Sequence, residues 1–187
     1  MKPNLKLQQM KQASKSQKRV DFLDLISEAI THEDIFGTLN YKKKSEDQIK
    51  QFIYPHLVQN LVEYVVEHGQ QDKEKAKELV KSSIKWEGDV NTTVNHILFM
   101  GTRNRPDMVV EMNDVKIAIE FKKGKRGSDL RAGIGQSMIY STHYDFVLYL
   151  FVDISDDKRI QNAQGGVNEL ALTSELWDRY NIKFIVA

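Results

Sequence analysis

The apolar residues of this chain change period about halfway along it. In the segment 20–30 they fall at Val20, Phe22, Leu23, Leu25, Ile26 and Ile30, the recurrence of one helical face. Ser45-Glu46-Asp47-Gln48 is a capping-box signature, and the helix it opens carries Ile49, Phe52 and Ile53 on one side. Pro55 is expected to kink or restart that helix, which Leu57, Leu61, Tyr64 and Val65 continue to a stop at Gly69. A further, highly charged helix is predicted over 72–85, with Ala76, Leu79, Val80 and Ile84 inward.

Beyond Trp86 the pattern is that of strands. Residues 94–100 are β-branched and aromatic and read as a strand, and 101–105 as a polar loop. Segments 107–112 and 115–122 are two strands joined by Asn113-Asp114. Residues 128–141 form a helix in which Gly133 and Gly135, each costing about 1 kcal/mol, imply close packing or close backbone approach. Segment 146–153 is nearly all apolar, as a strand covered on both faces would be. A helix over 168–180 with Leu170, Leu172, Leu176 and Trp177, then a short strand over 182–186, complete the chain. This order predicts an α/β sandwich around a mixed sheet. Helix 128–141 would be a right-handed crossover between parallel neighbours. A helical front spans 20–86, and a core spans 92–187 of the same domain.

Composition narrows the function more by exclusion than by direction. The 187 residues suit one domain with a tail, large enough to bury a core without staples. There is no cysteine, which excludes thiolate metal sites, a cysteine nucleophile and disulfides, and fits a reducing compartment. The five histidines show no zinc-site spacing, and no Walker loop, dinucleotide fingerprint or serine elbow is present. No stretch approaches the roughly 18 apolar residues of a membrane span, and the start lacks the apolar core of a secretory signal. A soluble, cytoplasmic protein with no membrane partner is the expectation. Net charge is only +1, but residues 1–19 hold Lys2, Lys6, Lys11, Lys15, Lys18 and Arg19 with no acid, and read as a basic, solvated arm.

The hairpin is the most informative stretch. With Asn113-Asp114 as a two-residue turn, Met112 faces Val115, Val110 faces Ile117 and Met108 faces Ile119. These residues and Phe121 make one face wholly apolar. The other face carries Asp107, Val109, Glu111, Lys116, Ala118, Glu120 and Lys122. Glu111 opposes Lys116, an ordinary ion pair. At the open end Asp107 opposes Glu120, with Cβ atoms expected about 5 Å apart. At ~4 Å and an effective dielectric near 20 the repulsion is ~4 kcal/mol, so something must compensate it. A divalent cation would, since Mg²⁺ prefers carboxylate and water oxygens. Lys122, two residues beyond Glu120 on the same face, reaches the same spot. Such a group suits phosphodiester hydrolysis: a cation polarises phosphate and acidifies water, and an ammonium stabilises growing negative charge.

Pro106-Asp107, twelve further residues and then Glu120-Phe121-Lys122 resembles the PD-(D/E)XK pattern of restriction endonucleases and related nucleases. The lead-in Arg105-Pro106-Asp107-Met108-Val109-Val110 is similar to the nuclease domain of type I restriction motor subunits. Gln136 and Tyr140 resemble the Gln-x-x-x-Tyr motif on the following helix. The resemblance covers residues 46–153. No helicase motor follows, so something other than a complete type I subunit is expected.

The resemblance implies a restriction-endonuclease-like mixed central sheet flanked by helices, with a helical N-terminal region. It implies a Mg²⁺- or Mn²⁺-dependent nuclease acting on nucleic acid, DNA foremost, and leaving a 5′-phosphate and a 3′-hydroxyl. Asp107, Glu120 and the Phe121 carbonyl would bind metal, Lys122 would assist the reaction, and Gln136 and Tyr140 would position substrate or the lysine. Glu46 would be an extra acid at the metal, although the first turn of a capped helix favours an acid in any case. Tyr140 also reads as a core-edge tyrosine and Gln136 as a solvated residue.

Arg103, Arg105, Lys123, Lys125, Arg126 and Arg131 flank the hairpin and would contact phosphates, though a solvated loop explains each alone. A homodimer is compatible with the reading. The rival is a non-catalytic nucleic-acid-binding or assembly domain that keeps the fold. RNA as substrate, endo- or exonucleolytic action, and the biological setting stay open.

Overall fold

A computed structural model describes residues 15–38, 40–69, 72–89 and 93–187. Most of the basic arm, residues 1–14, lies outside the described residues. Its last part, expected to be solvated coil, already belongs to the first helix, α1 (Lys15–Ile30), where Arg19 is ion-paired to Asp145. A short helix α2 (Glu33–Thr38) and a 3₁₀ turn (Tyr41–Lys43) lead to α3 (Glu46–Gly69). The capping box forms: Ser45 Oγ accepts from Gln48 N–H at 3.2 Å, and Gln48 Oε1 accepts from Ser45 N–H at 3.1 Å. The helix does not restart at Pro55 but runs through it as one element to Gly69.

Helix α4 (Lys73–Ser83) is capped by Asp72, whose carboxylate accepts from Lys75 N–H at 3.0 Å. It stops two residues short of the expected end. Ser82 and Ser83 turn their hydroxyls back onto the Leu79 carbonyl, each at 2.8 Å, an alternative to continuing the helical ladder. Leu79, expected inward, is 41% exposed. Ile84 and Lys85 leave the predicted helix for a strand, β1 (Ile84–Trp86), which is an outer strand of the main sheet.

The expected strand over 94–100 shrinks to β2 (Ile97–Phe99), and the expected loop supplies its partner β3 (Thr102–Asn104). This small ribbon stands apart from the main sheet, with Leu98, Phe99 and Met100 exposed at its tip. The hairpin of β4 (Met108–Met112) and β5 (Val115–Gly124) has the register read from the sequence, from Met112 opposite Val115 to Met108 opposite Ile119. Asn113 and Asp114 have φ of 56° and 61°, as a type I′ turn demands. Helix α5 (Gly127–Tyr140) connects β5 to the parallel neighbour β6 (Phe146–Asp153). Helices α6 (Arg159–Ala163) and α7 (Val167–Tyr180) precede β7 (Ile182–Val186), parallel to β6.

The result is an α/β fold with a mixed five-stranded sheet in the order β1-β4-β5-β6-β7. Alternation sorts its side chains into two cores. One joins Met108, Val110, Ile117, Ile119, Phe121, Leu148 and Leu150 to the buried faces of α1, α3 and α4. The other joins Ala118, Val147, Tyr149 and Phe151 to Tyr140 of α5 and Leu176 of α7. On α7 only Leu176 is buried and Trp177 half-buried; Leu170 and Leu172 are each 54% exposed.

Of the two glycines in α5, Gly133 does what was expected. A Cβ there would lie 2.3 Å from the Tyr149 ring, whose hydroxyl donates to the Leu130 carbonyl at 3.1 Å. Gly135 meets nothing within 4 Å and makes no such approach. Gly133→Ala should therefore lower stability by about 1–3 kcal/mol through overpacking, whereas Gly135→Ala should be neutral or stabilising. Urea melts of the two variants check this, and equal effects would contradict it.

Candidate active site

One residue beyond the β4–β5 ladder, Asp107 and Glu120 continue its register on the face that carries Ala118, opposite Met108, Ile119 and Phe121. Both are buried, Asp107 at 9% exposure and Glu120 at 1%. Asp107 has both oxygens engaged. Oδ2 accepts from the Phe121 N–H at 2.8 Å, and Oδ1 accepts from Lys50 Nζ at 2.8 Å. Lys122 Nζ lies 2.9 Å from Glu120 Oε1. Oε1 is buried, and the Lys122 ammonium is its charged neighbour.

The repulsion read from the hairpin appears as proton affinity. Burial, and then Asp107, push the Glu120 carboxyl up to about 7 against the opposing pull of Lys122. Burial works against the Lys122 ammonium, but Glu120, Asp107 and Glu46 outweigh it and raise its pKa above the ordinary value. Lys122 is therefore a cation at neutral pH. It can stabilise negative charge and is not suited to accept a proton.

Tyr140 is fully buried and donates to the Arg105 carbonyl at 2.9 Å, tying α5 to the loop that delivers Asp107. Burial, Glu120 and Asp107 raise its pKa, so it stays a neutral hydroxyl beside the acids, and Gln136 bears on the same group from one turn earlier. Glu46 reaches the site edge, where its Oε1 accepts from the Lys123 N–H at 2.7 Å. It still occupies the first turn of α3, so the dipole account of its position holds as well. Phe121 buries its ring in the core while its backbone runs between the two acids.

The basic residues divide. Arg103, Lys125, Arg126 and Arg131 are exposed. Arg105 is ion-paired to Glu87. Lys123 turns its ammonium back onto the carbonyls of Lys42 and Lys44, which removes it from the phosphate-facing set unless it is released. Glu111 is shared between Lys85 at 3.2 Å and the expected partner Lys116 at 3.7 Å.

Among the described residues, no group of three or more histidine, aspartate or glutamate side chains is gathered closely enough to hold a metal ion. The donor set at the hairpin is two carboxylates, each facing an ammonium: Lys50 Nζ lies 2.8 Å from Asp107 Oδ1 and Lys122 Nζ 2.9 Å from Glu120 Oε1. Few protein oxygens suffice for Mg²⁺, which keeps several waters, so the residues fit such an ion at that end of the ribbon.

Lys50 escaped the sequence reading. It lies in α3, 57 positions before Asp107, and no local pattern connects them. One signal was present: Glu46 and Lys50 are four apart on a helix and share a face, so whatever brings one to the site brings the other close.

No family model matches the chain, and no curated protein and no solved structure matches it. Among the described residues no helix is long and apolar enough to cross a membrane.

Proposed function

We propose that this chain is a divalent-metal-dependent nuclease of restriction-endonuclease-like fold that hydrolyses phosphodiester bonds, DNA foremost. One observation carries the reading. Asp107, Glu120 and Lys122 converge at the end of a hairpin whose other face is pure core, and Glu120 is buried against Asp107 at an evident electrostatic cost. Carboxyls displaced this far, by burial and by a neighbouring acid, cluster at functional sites.

Asp107, Glu120 and the Phe121 carbonyl would hold Mg²⁺ or Mn²⁺, which supplies Lewis-acid activation of phosphate and water. Lys122 places a positive charge beside the reacting phosphate and stabilises the charge that grows on it. Tyr140 ties α5 to the loop before Asp107, and Gln136, one turn earlier, would position substrate or Lys122. Arg103, Lys125, Arg126 and Arg131 offer cations to the polynucleotide backbone.

The test is the role of Lys122. Lys122→Ala should lower the single-turnover cleavage rate about 10²–10³-fold, with substrate affinity changed far less, as for loss of a group acting on the transition state. Products should end in 5′-phosphate and 3′-hydroxyl. A loss entirely in affinity would make Lys122 a phosphate anchor and remove it from the chemistry.

A second reading has its own observation. Lys50 faces Asp107 and Lys122 faces Glu120, so the four charges balance within the protein. That balance suits a nucleic-acid-binding or assembly domain with no catalysis. Such a domain would bind polynucleotide with unchanged affinity in EDTA and leave it intact with any divalent ion.

A further inference from the structure

Lys50 plays no part in the chemistry proposed above, yet it touches the carboxylate on which that chemistry depends. Lys50 is 5% exposed, and its ammonium sits 2.8 Å from Asp107 Oδ1. A lysine buried beside Ile49 and Ile53 is costly unless it is paired, and an apolar side chain of similar length would pack there without that cost. The position is occupied by a cation all the same. The other Asp107 oxygen is taken by the Phe121 N–H, so Oδ1 is the one a divalent ion would have to claim from a charged competitor. Lys50 also has somewhere to go. Its Nζ is already 2.8 Å from Oδ1 of Asp47, whose side chain is 79% exposed at the solvent edge of α3.

We propose that Lys50 is a built-in counter-cation of Asp107: it holds the acidic pair together in the metal-free protein, and a divalent cation must take Asp107 Oδ1 from it in order to bind. The inference rests on the nuclease reading of the site. Two cations cannot share one carboxylate oxygen at contact distance without strong repulsion. The cost of moving Lys50 therefore weakens the affinity of the free protein for metal. Once displaced, the ammonium keeps Asp47 and moves toward solvent, where the phosphate of a bound polynucleotide can receive it. Metal and substrate then favour each other's binding, and the free protein stays largely metal-free. Lys50 is a positioning residue in this scheme.

The experiment is calorimetric titration of Mn²⁺ into the metal-free full chain, with melting curves of the same samples. Wild type, Lys50→Met, Lys50→Gln, Lys50→Arg and Asp107→Asn are compared. Lys50→Met should melt lower than wild type without metal yet bind Mn²⁺ more tightly, by about tenfold or more, within the usual range of coupling between two ligands. Lys50→Gln, which retains a neutral donor to Asp107, covers the case in which the methionine variant does not fold, and should show the same tightening. Lys50→Arg should bind as wild type does.

A purely structural lysine would lower stability and leave affinity unchanged or weaker, and that result in Lys50→Met or Lys50→Gln overturns the proposal. Failure of wild type and both neutral variants to bind Mn²⁺ at millimolar concentration overturns it too. If Asp107→Asn binds as wild type does, the metal lies elsewhere and the nuclease reading of the site fails with it. If Asp107→Asn loses the ion while the neutral Lys50 variants match wild type, only the role of Lys50 fails.

Discussion

Asp107→Asn and Glu120→Gln should each reduce metal-dependent cleavage by at least about three orders of magnitude, with the far-ultraviolet spectrum unchanged. The two carboxylates serve one ion, so the double variant should be no worse than either single, as for residues that act as a unit. Glu111→Gln, on the same face of the hairpin but paired to Lys85 and Lys116, should keep full activity. Steady-state rates across saturating Mg²⁺ settle the matter. Activity near wild type in either single variant would remove that carboxylate from the site.

The second large effect is on stability, and it centres on Glu120, beside Asp107 and Lys122. Its carboxyl holds its proton to about 7 in the folded metal-free protein, against an ordinary value of 4.5. Below pH 4.5 both folded and unfolded chains carry the proton. Between 4.5 and 7 the unfolded chain releases it and the folded one retains it, so stability falls as pH rises through that window. A displacement of that size is worth roughly 3 kcal/mol in total. Glu120→Gln cannot titrate, so the difference in unfolding free energy between variant and wild type should grow in favour of the variant from pH 5 to pH 8. Divalent ion added to wild type should oppose the loss, because it stabilises the ionised carboxylate. Urea melts in EDTA at each pH provide the comparison. A difference independent of pH would mean that Glu120 is an ordinary carboxylate and that the strain inferred at the hairpin is absent.

The hairpin was legible because everything that specifies it is local. Strict alternation assigns Met108, Val110, Ile117 and Ile119 to one face, the Asn113-Asp114 turn fixes the register, and the two together place Asp107 beside Glu120. The all-apolar run of β6 and the crossover helix between parallel strands were legible on the same grounds. Three-residue strands were not. Ile84–Trp86 is too short to show a period, and its apolar residues also fit the end of the charged helix before it. The exposed ribbon of β2 and β3 reads as one strand and a loop, because nothing in its residues says that it leaves the main sheet.

The site divided the same way. Local spacing singled out Lys122, Gln136 and Tyr140; the structure brings Lys122 and Tyr140 to the acids, with Gln136 beside the Tyr140 hydroxyl. Lys50 and the contact of Glu46 with Lys123 depend on how α3 lies across the sheet, which no short pattern encodes. The sequence reading set a metal and Lys122 against the acids, and the fold adds a second lysine, Lys50, on Asp107.

The central claim is that the acids at the end of this hairpin use a divalent ion to cut nucleic acid. Its most direct test is incubation of the purified 187-residue chain with circular, linear, single-stranded and branched DNA, and with RNA, in Mg²⁺, Mn²⁺, Ca²⁺ or EDTA. The account predicts cleavage of at least one DNA substrate in Mg²⁺ or Mn²⁺, abolished by EDTA and by Asp107→Asn in the same preparation. Intact substrate under every condition, or cleavage that persists in EDTA, would contradict it.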